Sequence, residues 1–162
     1  MLTQSELKKC LHYNPDTGIF TWLVSRGRVK TDDIAGGLRR DCYIHIRVFG
    51  KKYLAHRLAF LYMEGGFPKN DTDHINQIRN DNRWANLRYA TNSENHRNVP
   101  RRANNTSGYK GVSFYKQRGK FVAQTTFNGK AKYLGLFPTA ELASEAFQAF
   151  AKQHYGEFYC KS

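Results

Sequence analysis

The chain has 162 residues, with 26 Lys and Arg against 13 Asp and Glu and a formal charge of +13 at pH 7. That length allows one average domain or two small ones with a real core, and 40% hydrophobic with 14% aromatic residues excludes a disordered polycation. The longest apolar stretch, Tyr53 to Met63, is broken by His56 and Arg57, so no membrane span is expected.

The opening MLTQSELKKC lacks the apolar core of a secretory signal, which points to a soluble, cytoplasmic protein. Cys10, Cys42 and Cys160 are too far apart for a C-x-x-C pair, so neither a disulfide framework nor a cysteine zinc site is expected. A helix is predicted from Ser5 to His12, stopped by the turn signal Asn14-Pro15-Asp16-Thr17-Gly18. Ile19 to Val24 reads as a strand. Cys42 to Val48 alternates as a half-buried strand, and Gly50-Lys51 turns the chain back. Leu54, Leu58, Leu61 and Tyr62 have helical spacing, ended by Gly65-Gly66.

Two short strands follow, near Asp71–Ile75 and Asn86–Ala90, joined by a polar loop. Thr91 and Glu94 have the spacing of a capping box, so a helix is predicted from Asn92. Residues 100–107 read as a linker. Beyond it, Gly111–Tyr115, Lys120–Phe127 and Lys130–Leu136 read as three strands, with Asn128-Gly129 as a strong hairpin signal. Thr139 is a candidate N-cap for a helix to about His154, with Leu142, Ala143, Ala146, Phe147, Phe150 and Ala151 as its apolar stripe.

Charge is uneven along this layout. Residues 1–70 carry a net +6, residues 71–100 carry none, and residues 101–162 carry +7; between Arg101 and Pro138 there are eight cations and no carboxylate. Two basic flanks around a neutral segment containing Asp71, Asp73 and Asp81 point to a polyanion, and to a divalent ion that screens the carboxylates. The blander reading is a solvated basic face.

The neutral segment runs DTDHINQIRNDNRWANLRYATNSENHRN, from Asp71 to Asn98. A hairpin here, followed by the capped helix, would bring the Asp73 carboxylate and the Asn95 amide oxygen toward one cation. Adjacent residues of a strand point to opposite faces, so His74 would not be a ligand. A neutral imidazole, with a pKa of about 6.5, suits deprotonation of a water. Oxygen donors favour Mg²⁺ or Mn²⁺ over Zn²⁺. On the blander side, Asp-His is a common dipeptide, and Asn80, Asn82 and Asn92 serve turns and caps. His56, on an apolar helix, reads as a packed structural histidine, and His96 as a solvent- or phosphate-facing one.

From His56 to Asn98, through HRLAFLYMEG, DHI at 73–75, ANLRYAT at 85–91 and ENHRN at 94–98, the chain resembles the HNH endonucleases. The resemblance implies a ββα-metal core at about residues 70–98 within a nuclease domain of residues 1–99. It makes His74 the general base and Asn86 the middle Asn that fixes the loop through backbone contacts. Asn95 takes the place of the last His and holds the metal with Asp73, the H-N-N variant of phage and intron-encoded homing enzymes. Tyr13-Asn14-Pro15 and HRL at 56–58 also resemble leaders of that subgroup.

Residues 108–162 resemble the AP2 DNA-binding domain, through YKGV at 109–112, GKFVAQ at 119–124, YLGLFPTAELASEAF at 133–147 and Gly156. That family docks a three-stranded antiparallel sheet, packed on one helix, in the DNA major groove. Period two turns Phe121, Ala123 and Thr125 toward the helix and Gln124 and Thr126 outward, with Lys110, Tyr115, Arg118 and Lys132. Arg101, Arg102, Lys116, Lys120 and Lys130 complete the expected DNA-binding set, the lysines on phosphate, Arg118 and Gln124 on base edges. Ser113 and Thr126 stand where plant members often have Arg, so their sequence preference does not carry over.

The fold class expected is therefore α+β, a mixed N-terminal segment and ββα-metal core followed by an AP2-like sheet and helix. The function expected is a metal-dependent endonuclease that nicks double-stranded DNA as a monomer, with two copies needed for a double-strand break. The cofactor would be Mg²⁺ or Mn²⁺, the products 5′-phosphate and 3′-hydroxyl ends, and the setting a bacterial cell if the gene is a phage's. The alternatives are a non-catalytic DNA-binding regulator and an RNA hydrolase.

Overall fold

The computed structural model describes residues 1–99, 101 and 104–159. The chain divides into two compact units, Met1–Thr91 and Asn92–Ser162. Pro100, Arg102 and Ala103 of the expected linker lie outside the described residues, as does Cys160. Cys10 and Cys42 are free thiols, and no helix among the described residues is long and apolar enough to cross a membrane.

The first unit opens with α1 (Gln4–Cys10), started by a capping box in which the Thr3 hydroxyl accepts from the Glu6 amide and the Glu6 carboxylate accepts from the Thr3 amide. The helix ends before His12, earlier than its sequence pattern predicts. Leu11 and Tyr13 are buried while His12 is exposed, a period of two that makes β1 (Leu11–Asn14). β1 pairs antiparallel with β2 (Ile19–Trp22) around a turn in which Asn14 Oδ1 accepts from the amides of Asp16 and Thr17.

A second sheet has the order β3 (Gly37–Leu38), β4 (Ile44–Val48), β5 (Lys51–Leu54). Cys42, expected in a strand, instead has φ +66 in the turn before β4, where its amide donates to Arg39 O at 2.8 Å. Phe49 and Gly50, both with positive φ, make the two-residue hairpin turn. Helix α2 (Ala55–Glu64) buries Ala55, His56, Leu58, Ala59, Phe60 and Leu61. The apolar ones pack with Leu7, Leu11, Tyr13, Phe20, Trp22, Ile46 and Val48 into the unit's main core. On this core rests the antiparallel pair β6 (Asp71–His74) and β7 (Leu87–Ala90), in register Asp73↔Arg88 and His74↔Leu87.

The second unit begins with α3 (Asn92–Asn98), starting where the sequence predicts. Its sheet has the order β10 (Lys130–Phe137), β9 (Lys120–Phe127), β8 (Val112–Tyr115), all antiparallel. Helix α4 (Ala140–Tyr155) packs across all three strands, its N-terminus capped by the Thr139 hydroxyl. Ala123, Ala143 and Ala151 are fully buried, which brings helix and sheet close. Leu142, expected in the buried stripe, is 43% exposed because the inward face runs through Ala140, Ala143, Ser144, Phe147, Ala151 and Tyr155.

Gly111 is fixed by that close approach. Its φ is +73, and a Cβ there would fall 2.1 Å from Phe147 Cδ2. Gly111→Ala is expected to destabilise the second unit by about 2–4 kcal/mol, through backbone strain and overpacking together. Urea unfolding followed by Tyr fluorescence would measure it, and a midpoint unchanged from wild type would show that Phe147 yields.

Candidate active site and nucleic-acid interface

The β6–β7 hairpin presents Asp73 and His74 on opposite faces because they are consecutive strand residues. His74 is 6% exposed, its Nε2 lying 3.3 Å from Asn82 Oδ1. The His56 ring meets it edge-on at 5.1 Å between centroids, and Tyr43 lies at 6.0 Å. Burial lowers the His74 pKa against the opposing pull of the Asn82 hydrogen bond and the charges of Asp73 and Asp81, so the imidazole is neutral at pH 7. His56 is buried, as its sequence context predicts, and more strongly shifted, to about 3.

Asn86 holds the hairpin's loop together. Its Oδ1 accepts from the Asn76 amide at 3.0 Å, its Nδ2 donates to Asp81 O at 2.7 Å, and its own carbonyl accepts from the Ile75 amide at 2.9 Å. Asp81 is in turn gripped by Arg83, which pulls its pKa down to about 2. Removing the Asn86 side chain would therefore release residues 76 and 81 of the loop that begins at His74.

Asp73 is paired with its cross-strand neighbour, Arg88. The guanidinium donates to Asp73 Oδ2 from Nη2 at 2.6 Å and from Nε at 3.0 Å, with the two side chains 12% and 10% exposed. Sequence reasoning passed over this pair, although a hairpin joining 74 to 87 places 73 opposite 88. Carboxylate oxygen is a donor that hard cations accept, but among the described residues no group of three or more His, Cys, Asp or Glu side chains gathers around Asp73, whose Oδ2 is held by Arg88. Asn95 is half-buried on α3 and belongs to the second unit.

In the second unit, Tyr115, Lys116, Arg118, Lys120, Gln124, Thr126, Lys130 and Lys132 are all exposed. Gln124 and Thr126 face outward, while Ala123 is buried and Thr125 bonds the Tyr155 hydroxyl of α4. Lys132 does not share the outward face expected for it. It pairs with Thr125, and Lys130 with Phe127, so both leave the sheet on the helix side. Tyr133, paired with Gln124 and 67% exposed, takes the outward position instead. Lys110 is half-buried, its ammonium donating to the carbonyls of Arg97 and Val99 at the end of α3. Arg101 is exposed, and Arg102 lies outside the described residues.

No curated protein matches the chain. Among solved structures it is similar to the protein described as "DNA binding and cleavage by the HNH homing endonuclease I-HmuI", at 22% identity and TM-score 0.43, covering 84% of this chain and 76% of that one. Residues 53–97, the stretch that carries α2, the β6–β7 hairpin, His74, Asn86 and Asn95, match the family model of the HNH endonucleases.

Proposed function

We propose that the chain is a metal-dependent DNA endonuclease that nicks duplex DNA, with its nuclease chemistry in residues 53–97 and DNA binding in the AP2-like second unit. The observation that carries this reading is the hairpin itself: a desolvated, neutral imidazole at His74, next in sequence to a nearly buried carboxylate, inside the stretch that matches the HNH endonucleases. His74 accepts the proton of the attacking water, which it can do at neutral pH because burial disfavours its charged form. Asn86 keeps the loop that begins at His74 closed. Asp73 and Asn95 are the residues to hold the cation. Bound there, a divalent ion supplies Lewis-acid stabilisation of the phosphate and of the leaving oxygen.

Supercoiled plasmid incubated with Mg²⁺ or Mn²⁺ tests the reading. Wild type is expected to convert it to open circles with 5′-phosphate and 3′-hydroxyl ends, and Asp73→Ala and Asn95→Ala to leave it intact. One general base per chain cuts one strand, so linear product should rise with the square of enzyme concentration at high dilution. Plasmid that is bound but uncut at every metal concentration would favour a non-catalytic DNA-binding regulator. Preferential cleavage of RNA in competition with duplex would favour an RNA hydrolase.

The outward sheet face adds Tyr115, Lys120, Gln124 and Tyr133 to the cations Lys116 and Arg118 of the β8–β9 turn. Tyrosines offer stacking surface, lysines phosphate contact, and Gln124 and Arg118 hydrogen bonds to base edges. With about six phosphates neutralised, the logarithm of DNA affinity should fall with log salt at a slope near −5. Filter binding across a salt series measures it, and a slope shallower than about −2 would remove the sheet's electrostatic role.

A further inference from the structure

Asn82 has the local sequence of a turn residue, yet it is only 3% exposed. Its Oδ1 faces His74 Nε2 at 3.3 Å, and its Nδ2 donates to Asn80 O at 3.3 Å. The second bond fixes the amide's orientation, since the nitrogen must face a carbonyl and the oxygen therefore faces the ring. An amide oxygen can only accept, so the proton of the neutral imidazole sits on Nε2 and the basic lone pair on Nδ1.

Asn82 is itself braced from outside the loop. The Tyr13 hydroxyl, buried on β1, donates to Asn82 O at 2.7 Å. The Trp84 amide donates to Pro15 O at 2.9 Å. Gly18, with φ +72, sits so close that a Cβ would fall 2.4 Å from the carbonyl carbon of Asn82 and the nitrogen of Arg83. The β1–β2 turn thus lies flush against the backbone of residues 82–84, sixty-nine positions along the chain from Tyr13 to Asn82.

We propose that Asn82, braced by Tyr13 and the Asn14–Gly18 turn, is a positioning residue that holds His74 as the Nε2–H tautomer, with Nδ1 as its basic nitrogen. Its catalytic consequence rests on the reading of His74 as general base; the tautomer does not. A well-ordered base needs one nitrogen aimed and the other tied down, and the buried Asn82 amide ties Nε2.

Full-length protein with isotope-labelled histidine allows the test, because ring ¹⁵N and ¹³Cδ2 shifts distinguish the two tautomers of His74. Wild type is expected to show Nε2–H. Asn82→Leu, nearly isosteric but without the acceptor, should shift the population toward Nδ1–H. It should also lower kcat for plasmid nicking roughly tenfold or more with KM for DNA unchanged. Tyr13→Phe, which loses one hydroxyl and keeps the core, should move both readouts the same way by a smaller amount. Nδ1–H in wild type would overturn the proposal, as would a wild-type tautomer pattern in folded Asn82→Leu. If Asn82→Leu does not fold, Tyr13→Phe with unchanged spectrum and kcat would overturn the brace. A wild-type protein that never cuts DNA but shows Nε2–H at His74, lost in the variants, would refute the nuclease reading and leave the positioning role standing.

Discussion

His74→Ala is expected to lower plasmid nicking by about 10²–10⁴-fold, the range for losing a positioned general base, while DNA binding survives. No other described residue duplicates its position. His56 touches the ring, but burial and its neighbours push its pKa to about 3, so it is too weak a base at neutral pH. His45 is engaged with Asp41 at 2.9 Å. The alanine variant leaves a ring-sized space in a buried position, which is expected to cost stability but also to admit free imidazole. Partial rescue of nicking by added imidazole, absent in Asp73→Ala, would identify the lost group as the proton acceptor. Wild-type rates in folded His74→Ala would place the chemistry elsewhere. DNA affinity measured in parallel separates a lost base from a lost fold.

Much of this arrangement is legible from the residues. The period-two runs and the turn signals Asn14–Gly18 and Asn128-Gly129 mark the hairpins observed, while the turn expected at Gly50-Lys51 sits one residue earlier, at Phe49-Gly50. A two-residue turn at Asn128-Gly129 forces Phe127 opposite Lys130 and so Thr125 opposite Lys132, which already turns both lysines to the helix side of the sheet. The same counting pairs Asp73 with Arg88 once His74 faces Leu87. The capping box at Thr3 and Glu6 is marked by the same T-x-x-E spacing as that at Thr91 and Glu94.

Other features were beyond local pattern. The end of α1 is decided by the burial of Leu11 and Tyr13 against Phe20 and α2, a tertiary effect that overrides helical spacing. Asn82 looks like any loop asparagine until the Tyr13 hydroxyl reaches its carbonyl. Lys110 looks like a phosphate contact until the carbonyls of Arg97 and Val99 take its ammonium. Polar partners distant in sequence, more than strands or helices, are what composition and periodicity leave unread.

Acid sensitivity should follow from the same buried pair of rings. His56 is held far below the usual imidazole range, first by burial and then by the positive potential of His74, Arg57 and His45, with Tyr43 packed on its ring at 5.3 Å. In the unfolded chain it titrates near 6.5. Between that value and about 3 the unfolded state binds a proton that the folded state refuses. Stability is therefore fully present above pH 6.5 and falls as the pH is lowered, by about 1.4 kcal/mol per unit for this group. His74, lowered in the same direction, adds to the slope. His56→Phe keeps an aromatic ring in the core and removes one of the two titrations. Its melting temperature is expected to fall distinctly less than that of wild type between pH 7 and pH 5, measured by circular dichroism at fixed ionic strength. Parallel curves for the two proteins would mean that His56 is protonated in the fold, and that the acid limb belongs to other groups.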